Sequence, residues 1–188
     1  MTESTRARLL DATRRCISAQ GLAATTSRDI TAAAGANLAA ITYHFGAKDD
    51  LVAAALLDEL RAWLAPTLEV LAGGGDPATR TLTAVQTLVA EFERRRAEAP
   101  AYLEAMVQAP RLGALHDGVV TLWSELRRLL VVEMRALVLP SWVDPDAMSA
   151  LLVAVANGLV LQVTVDPSGP PLDAMAAQFA GLLLAAQG

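Results

Sequence analysis

The stretch TSRDITAAAGANLAAITYHFGAKDDL, residues 26–51, decides how the chain is read. Thr26 with Asp29 three residues later has the form of a capping box, and Gly35 tolerates the left-handed turn that stops the helix opened there. Asn37 can cap a second short helix, Leu38 to Phe45, which Gly46 ends. Two short helices around a glycine turn make a helix-turn-helix, whose second helix lies in the major groove of DNA with phosphate contacts at its edges. Thr42, Tyr43 and His44 occupy the exposed tip of that helix, and Lys48 follows it.

Outward from this segment the pattern is helical throughout. The first helix runs from about Ser4 to Gln20, with Leu10 and Ile17 on one face and Gly21 as its stop. A fourth starts near Lys48 and reaches Ala65, where Pro66 kinks or ends it. Gly73, Gly74 and Gly75 form a linker, and Asp76-Pro77 opens a fifth helix to about Ala97. Pro100 and Pro110 bracket a sixth, and a seventh spans about Gly113 to Leu139. Asp144-Pro145 repeats the start signal for an eighth helix, Asp166–Pro171 reverses the chain, and a ninth runs from Leu172 to Gln187. The expectation is an all-α protein of about nine helices: a three-helix head over residues 1–50 and a helical domain over residues 51–188.

Composition supports that class. Of the 188 residues 54% are hydrophobic and mean hydropathy is +0.38, carried mainly by Ala, Leu and Val rather than by strand-favouring residues. The net charge of −5 argues against a strongly basic, non-specific nucleic-acid binder, but it divides unevenly. Residues 1–50 carry six basic against five acidic groups, and the remainder nine against fifteen. A near-neutral head can still bind DNA if its few cations are well placed.

Cys16 is the only cysteine, which excludes a disulfide framework and reads as a small hydrophobe on an amphipathic helix. The start of the chain is polar and charged, so no secretory signal is expected and the cytoplasm is the expected compartment. Ala147 to Val165 has no charge over nearly a bilayer's thickness, yet it holds Ser149, Asn157, Gln162 and Thr164 and lacks basic flanks. A protein core or an oligomer interface fits it better than a membrane.

In register, Gly21, Thr26 with Asp29 and Ile30, Ala34-Gly35, Tyr43-His44-Phe45, and Lys48 with Leu51 resemble the TetR family of bacterial transcriptional regulators, over roughly residues 6–56. The resemblance implies a homodimer on a palindromic double-stranded DNA operator, usually a repressor, released when a small apolar or amphipathic molecule enters the C-terminal domain. It places DNA contacts at Thr26, Ser27, Arg28, Asn37, Leu38, Ala39, Thr42, Tyr43, His44 and Lys48. With Leu38 and Ala39 opening the reading helix, apolar contact to thymine methyls is more available than a dense hydrogen-bond code. Thr42 stands where the family often has tyrosine. Ala47 replaces a common serine, which weakens the cap of the fourth helix. For Tyr43, packing on the first helix and contact with DNA both stay open.

In the remainder, Trp63, Phe92, Met106, Trp123 and Met134 are candidates to line an effector cavity, with Arg127 and Asn157 as polar orienting groups. Each large residue also fits plain core. Ala150, Ala154 and Gly158 recur every four residues on the eighth helix and would let another helix approach closely. Leu151, Ala154, Val155, Gly158, Leu159 and Gln162, with Met175, Phe179, Leu182 and Leu183 of the ninth helix, are the expected dimer face. Arg94, Arg95 and Arg96 lie among Glu91, Glu93 and Glu98 and read as a solvated face. Two histidines 72 positions apart, one cysteine and no phosphate loop give neither an active site nor a metal cluster, so no enzyme, metal or cofactor is expected. A helical adaptor without specific DNA binding is the competing function.

Overall fold

The computed structural model describes residues 4–137 and 139–185, without the side chains of residues 179–180 and 182–185. Among these, nine α-helices follow one another: α1 Thr5–Gln20, α2 Ser27–Ala34, α3 Leu38–Phe45, α4 Lys48–Ala72, α5 Pro77–Arg94, α6 Ala99–Gln108, α7 Gly113–Ala136, α8 Pro145–Val165 and α9 Leu172–Ala185. No strand occurs among the described residues.

Most boundaries fall where the start and stop signals put them. Ser4, Thr26, Asn37, Asp76 and Asp144 each accept a hydrogen bond from a first-turn backbone amide of their helix, filling a donor that has no partner within it. The end of α4 differs from the sequence reading. The helix continues through Pro66 to Ala72, although proline cannot donate to the Ala62 carbonyl. Burial of Trp63, Leu64, Thr67 and Leu71 on both sides of Pro66 outweighs that loss. Helices α5 and α7 end at Arg94 and Ala136, three residues short of the pattern, and α9 is described as far as Ala185. Gln187, where the last was expected to end, lies outside the described residues.

The chain forms two compact units. The first comprises residues 1–62 and 97–120, the second residues 63–96 and 121–188. In the first, Leu9, Leu10, Ala12, Ile30, Ala34, Ile41, Leu51 and Ala55 form one buried cluster, with Phe45 partly buried against it. This core fixes α2 and α3 on α1 and the start of α4. Cys16 is half-buried, and that burial pushes its thiol above the ordinary cysteine value, which works against a reactive thiolate. In the second unit Trp63 and Phe92 meet edge-to-face, 5.7 Å between centroids, both about 1% exposed.

Candidate nucleic-acid interface

Helix α2 is opened by a complete capping box. The Thr26 hydroxyl accepts from the Asp29 amide at 3.2 Å, and the Asp29 carboxylate accepts from the Thr26 amide at 2.8 Å and the Thr26 hydroxyl at 2.6 Å. Those two donors hold the Asp29 carboxyl below the usual carboxylate value, the hydroxyl contributing most. Ser27 is half-buried in the first turn, and Arg28 is exposed beside it. Gly35 closes the helix at φ 59°, ψ 42°, the left-handed conformation the turn requires. The Arg8 guanidinium donates from Nε to the Ala34 carbonyl at 3.0 Å, which satisfies one end group of α2.

Helix α3 is two turns long and divides into two faces. The Asn37 side chain caps it by accepting from the Ala40 amide at 3.0 Å. At about 100° per residue, Leu38, Ala39, Thr42 and Tyr43 fall within one arc of roughly 140°, and all four are exposed. Ala40, Ile41, His44 and Phe45 fill the opposite arc and are buried or partly buried. The Tyr43 ring is 85% exposed, so of its two open readings the packed one is overturned. Ile41 and Phe45, spaced i and i+4, take the core-facing stripe, and Tyr43 lies on the other side of the helix. The rings of Tyr43 and His44 meet edge-on at 4.8 Å, and those of His44 and Phe45 at 6.4 Å.

The cations of this unit are unequally engaged. Arg14 donates to Asp58 and lies 3.6 Å from Glu59, and Arg15 donates to Asp11. Lys48 donates from Nζ to the Thr25 carbonyl, which brings its ammonium to the residue preceding the α2 cap. A phosphate at that turn would meet a cation already in place, with two ammonium protons left over. Arg6 and Arg28 are exposed and form no ion pair among the described residues. The Arg6 guanidinium stands over the Phe45 ring, 5.1 Å from its centroid. Sequence reading missed Arg6, because 39 positions separate it from Phe45 and no periodicity links them.

The expected effector residues are distributed less tightly. Trp63 and Phe92 pack on each other, Met134 is buried, and Trp123 and Arg127 are half-buried on α7. Arg127 donates to the Ser124 hydroxyl at 3.3 Å, and Asn157 on α8 donates to the Val153 carbonyl of its own helix at 2.9 Å. Met106 belongs to the first unit, on α6. Of the expected dimer residues, Leu151, Ala154, Gly158 and Gln162 are exposed on α8, Val155 and Leu159 half-buried, and Met175 half-buried on α9. The side chains of Phe179, Leu182 and Leu183 lie outside the described residues. His116 lies in the first turn of α7, its Nδ1 3.1 Å from an Asp117 carboxylate oxygen. Arg94 and Arg95 pair with Glu91, and Arg96 with Glu93, so this cluster neutralises itself.

A capped helix, a left-handed glycine turn and a second capped helix that turns one face to its core and the other to solvent define a helix-turn-helix DNA-binding protein. Residues 9–55 match the model for bacterial regulatory proteins of the tetR family, and residues 77–186 match that for the C-terminal part of BetI-type transcriptional repressors. The chain therefore belongs to the TetR family of transcriptional regulators, as a BetI-like repressor and not an enzyme. The HTH-type transcriptional regulator BetI of Burkholderia thailandensis is 32% identical over 184 residues, covering 94% of this chain and 89% of that one. Among solved structures, a transcriptional regulator from Rhodococcus sp. Rha1 superposes with a TM-score of 0.80 at 25% identity, covering 98% and 99% of the two chains. A transcriptional regulator from Saccharomonospora viridis, solved in complex with choline, gives 0.78 at 22% identity, with 94% and 93% covered.

Proposed function

We propose that the chain acts in the cytoplasm as a homodimer that represses a promoter by binding a palindromic operator, and that a small effector releases it. The observation carrying the DNA half is the α3 face: Leu38, Ala39, Thr42 and Tyr43 form one exposed arc behind the Asn37 cap. Residues 1–50 do the reading, through Thr26, Ser27, Arg28 and Lys48 toward phosphates and the α3 arc toward base edges. Leu38, half exposed at the helix start, is the group suited to a thymine methyl. Two such heads must span successive major grooves, so the half-site spacing copies the distance between them.

Residues 51–188 supply dimerisation and effector binding in this reading. Helix α8 supports the first: it is 21 residues long, long and apolar enough to cross a membrane by length and composition, and only 22% of its most apolar window is buried. Leu151 and Leu161 are each 51% exposed. An effector lowers operator affinity to the extent that it binds the non-fitting dimer better than the fitting one. Choline is the first compound to try, because the Saccharomonospora viridis regulator was solved with it; apolar and amphipathic molecules come next.

The decisive experiment is a binding titration on DNA upstream of the chain's own coding sequence, with and without each compound. A shifted complex that survives competition by mixed-sequence DNA, and that Lys48→Ala weakens on every sequence, is the expected result. The absence of any specific complex on adjacent promoters would overturn the operator reading. Operator affinity unmoved by every compound that binds would overturn only the sensor reading.

A further inference from the structure

The DNA contacts assigned so far leave one cation at the end of α3 without a role. Arg6 lies in the first turn of α1, is exposed, and has no carboxylate partner among the described residues. Its guanidinium is held over Phe45, the last residue of α3, at 5.1 Å from the ring centroid. Arg8, Arg14 and Arg15 give N–H donors to a carbonyl or to carboxylates. A cation–π contact takes up no carboxylate or carbonyl acceptor, so the guanidinium N–H groups that point away from the ring stay available to an anion. The carbonyl end of α3 adds a partial negative charge that favours a cation there.

We infer that Arg6 is a phosphate-binding residue of the DNA interface, with Phe45 as the positioning residue that carries it at the C-terminal end of the reading helix. This rests on the DNA-binding role of α3. Packing α1 against α3 through the shared core places a cation that the Thr26–Leu51 segment does not itself encode. In a head with a net charge of only +1, and with Arg14 and Arg15 neutralised by acids, one further phosphate contact is a large fraction of the electrostatic affinity.

The test uses the full chain and a fluorescent 30-base-pair duplex of mixed sequence, so no operator need be known. Affinity is measured from 50 to 300 mM salt for the wild type, Arg6→Gln, Arg6→Lys, Phe45→Leu and Arg6→Gln/Phe45→Leu. Removing one phosphate contact lowers the slope of log affinity against log salt by about 0.9 per bound head and weakens binding roughly eightfold at 0.1 M salt. Arg6→Gln should show both, and Arg6→Lys should keep the slope. Phe45→Leu should weaken binding less than Arg6→Gln, and the double variant should bind no worse than Arg6→Gln alone. A slope and affinity unchanged in Arg6→Gln, with only the melting temperature lowered, would make the stack mere packing and overturn the inference. Wild type that binds neither this duplex nor the DNA upstream of its own coding sequence at 50 mM salt would instead overturn the DNA-binding reading beneath it; where it binds only the upstream DNA, the same series read on that DNA decides the inference by the same outcomes.

Discussion

Glu133 is the side chain on which the second unit depends most sharply. It is 1% exposed, and both Nε and Nη2 of Arg80 donate to its Oε1, at 2.9 and 2.7 Å. Its Oε2 is buried without a hydrogen-bond partner among the described residues, so the carboxylate relies on one guanidinium for its compensation. Truncating that partner leaves an uncompensated buried charge, and Arg80→Ala should destabilise the fold by about 3–5 kcal/mol in urea unfolding. The double variant Arg80→Met/Glu133→Leu should return to near wild-type stability, because it removes both desolvated charges at once. A double variant as unstable as Arg80→Ala would show that packing, not charge, holds α5 on α7. Neither partner stood out in the sequence: the two are 53 positions apart and each reads locally as a solvated helix charge. Tyr43 was undecided for a related reason, since local spacing does not show which stripe of α3 the core of α1 and α4 takes up.

At the scale of the element, the α2 cap joins sequence, stability and acidity. Thr26→Ala removes the hydroxyl that both caps α2 and donates to Asp29, at a cost of about 1 kcal/mol. The folded Asp29 carboxyl lies below its unfolded value, so the stability it lends is complete above the ordinary carboxylate pKa of about 4 and is lost as pH falls through the lowered folded value. Asp29→Asn should therefore flatten the acid limb of the melting temperature against pH while leaving neutral pH less affected than Thr26→Ala does. An acid limb identical to wild type would remove Asp29 from that account. Caps of this kind were legible in advance, because a cap is a local contract between a side chain and an amide three residues on. The continuation of α4 through Pro66 was not, since it depends on what Trp63, Thr67 and Leu71 pack against. A close approach is equally invisible in sequence: a Cβ on Gly118 of α7 would come within 2.4 Å of Leu57 Cδ2 on α4. Gly118→Ala should forfeit most of the about 1 kcal/mol that alanine normally gains over glycine inside a helix, because the half-buried Leu57 side chain must shift to admit it. Leu57→Ala in the same chain should return part of it, and strict additivity of the two would deny the contact.

For the molecule as a whole, weak reading by each head is what would make the proposed homodimer necessary. The head carries a net charge of +1 and Lys48 is the only lysine of the chain, so under the proposed operator reading a single head would make few phosphate contacts and bind one half-site poorly. Joining two heads makes the second contact intramolecular, which raises affinity by about 10²–10⁴-fold with no new contact to DNA. The uncovered face of α8 is the surface suited to that joining, with Leu151 exposed and Ala154 and Gly158 small enough for close helix approach. A charge placed there must be desolvated or must prevent the approach. Gly158→Arg or Leu151→Arg should give a folded monomer by light scattering and circular dichroism, and operator affinity should fall at least about a hundredfold. Single-head binding to mixed-sequence DNA should change little. A variant that stays dimeric and keeps its operator affinity would move the interface off α8, and the near-neutral head would then have to bind by contacts of its own.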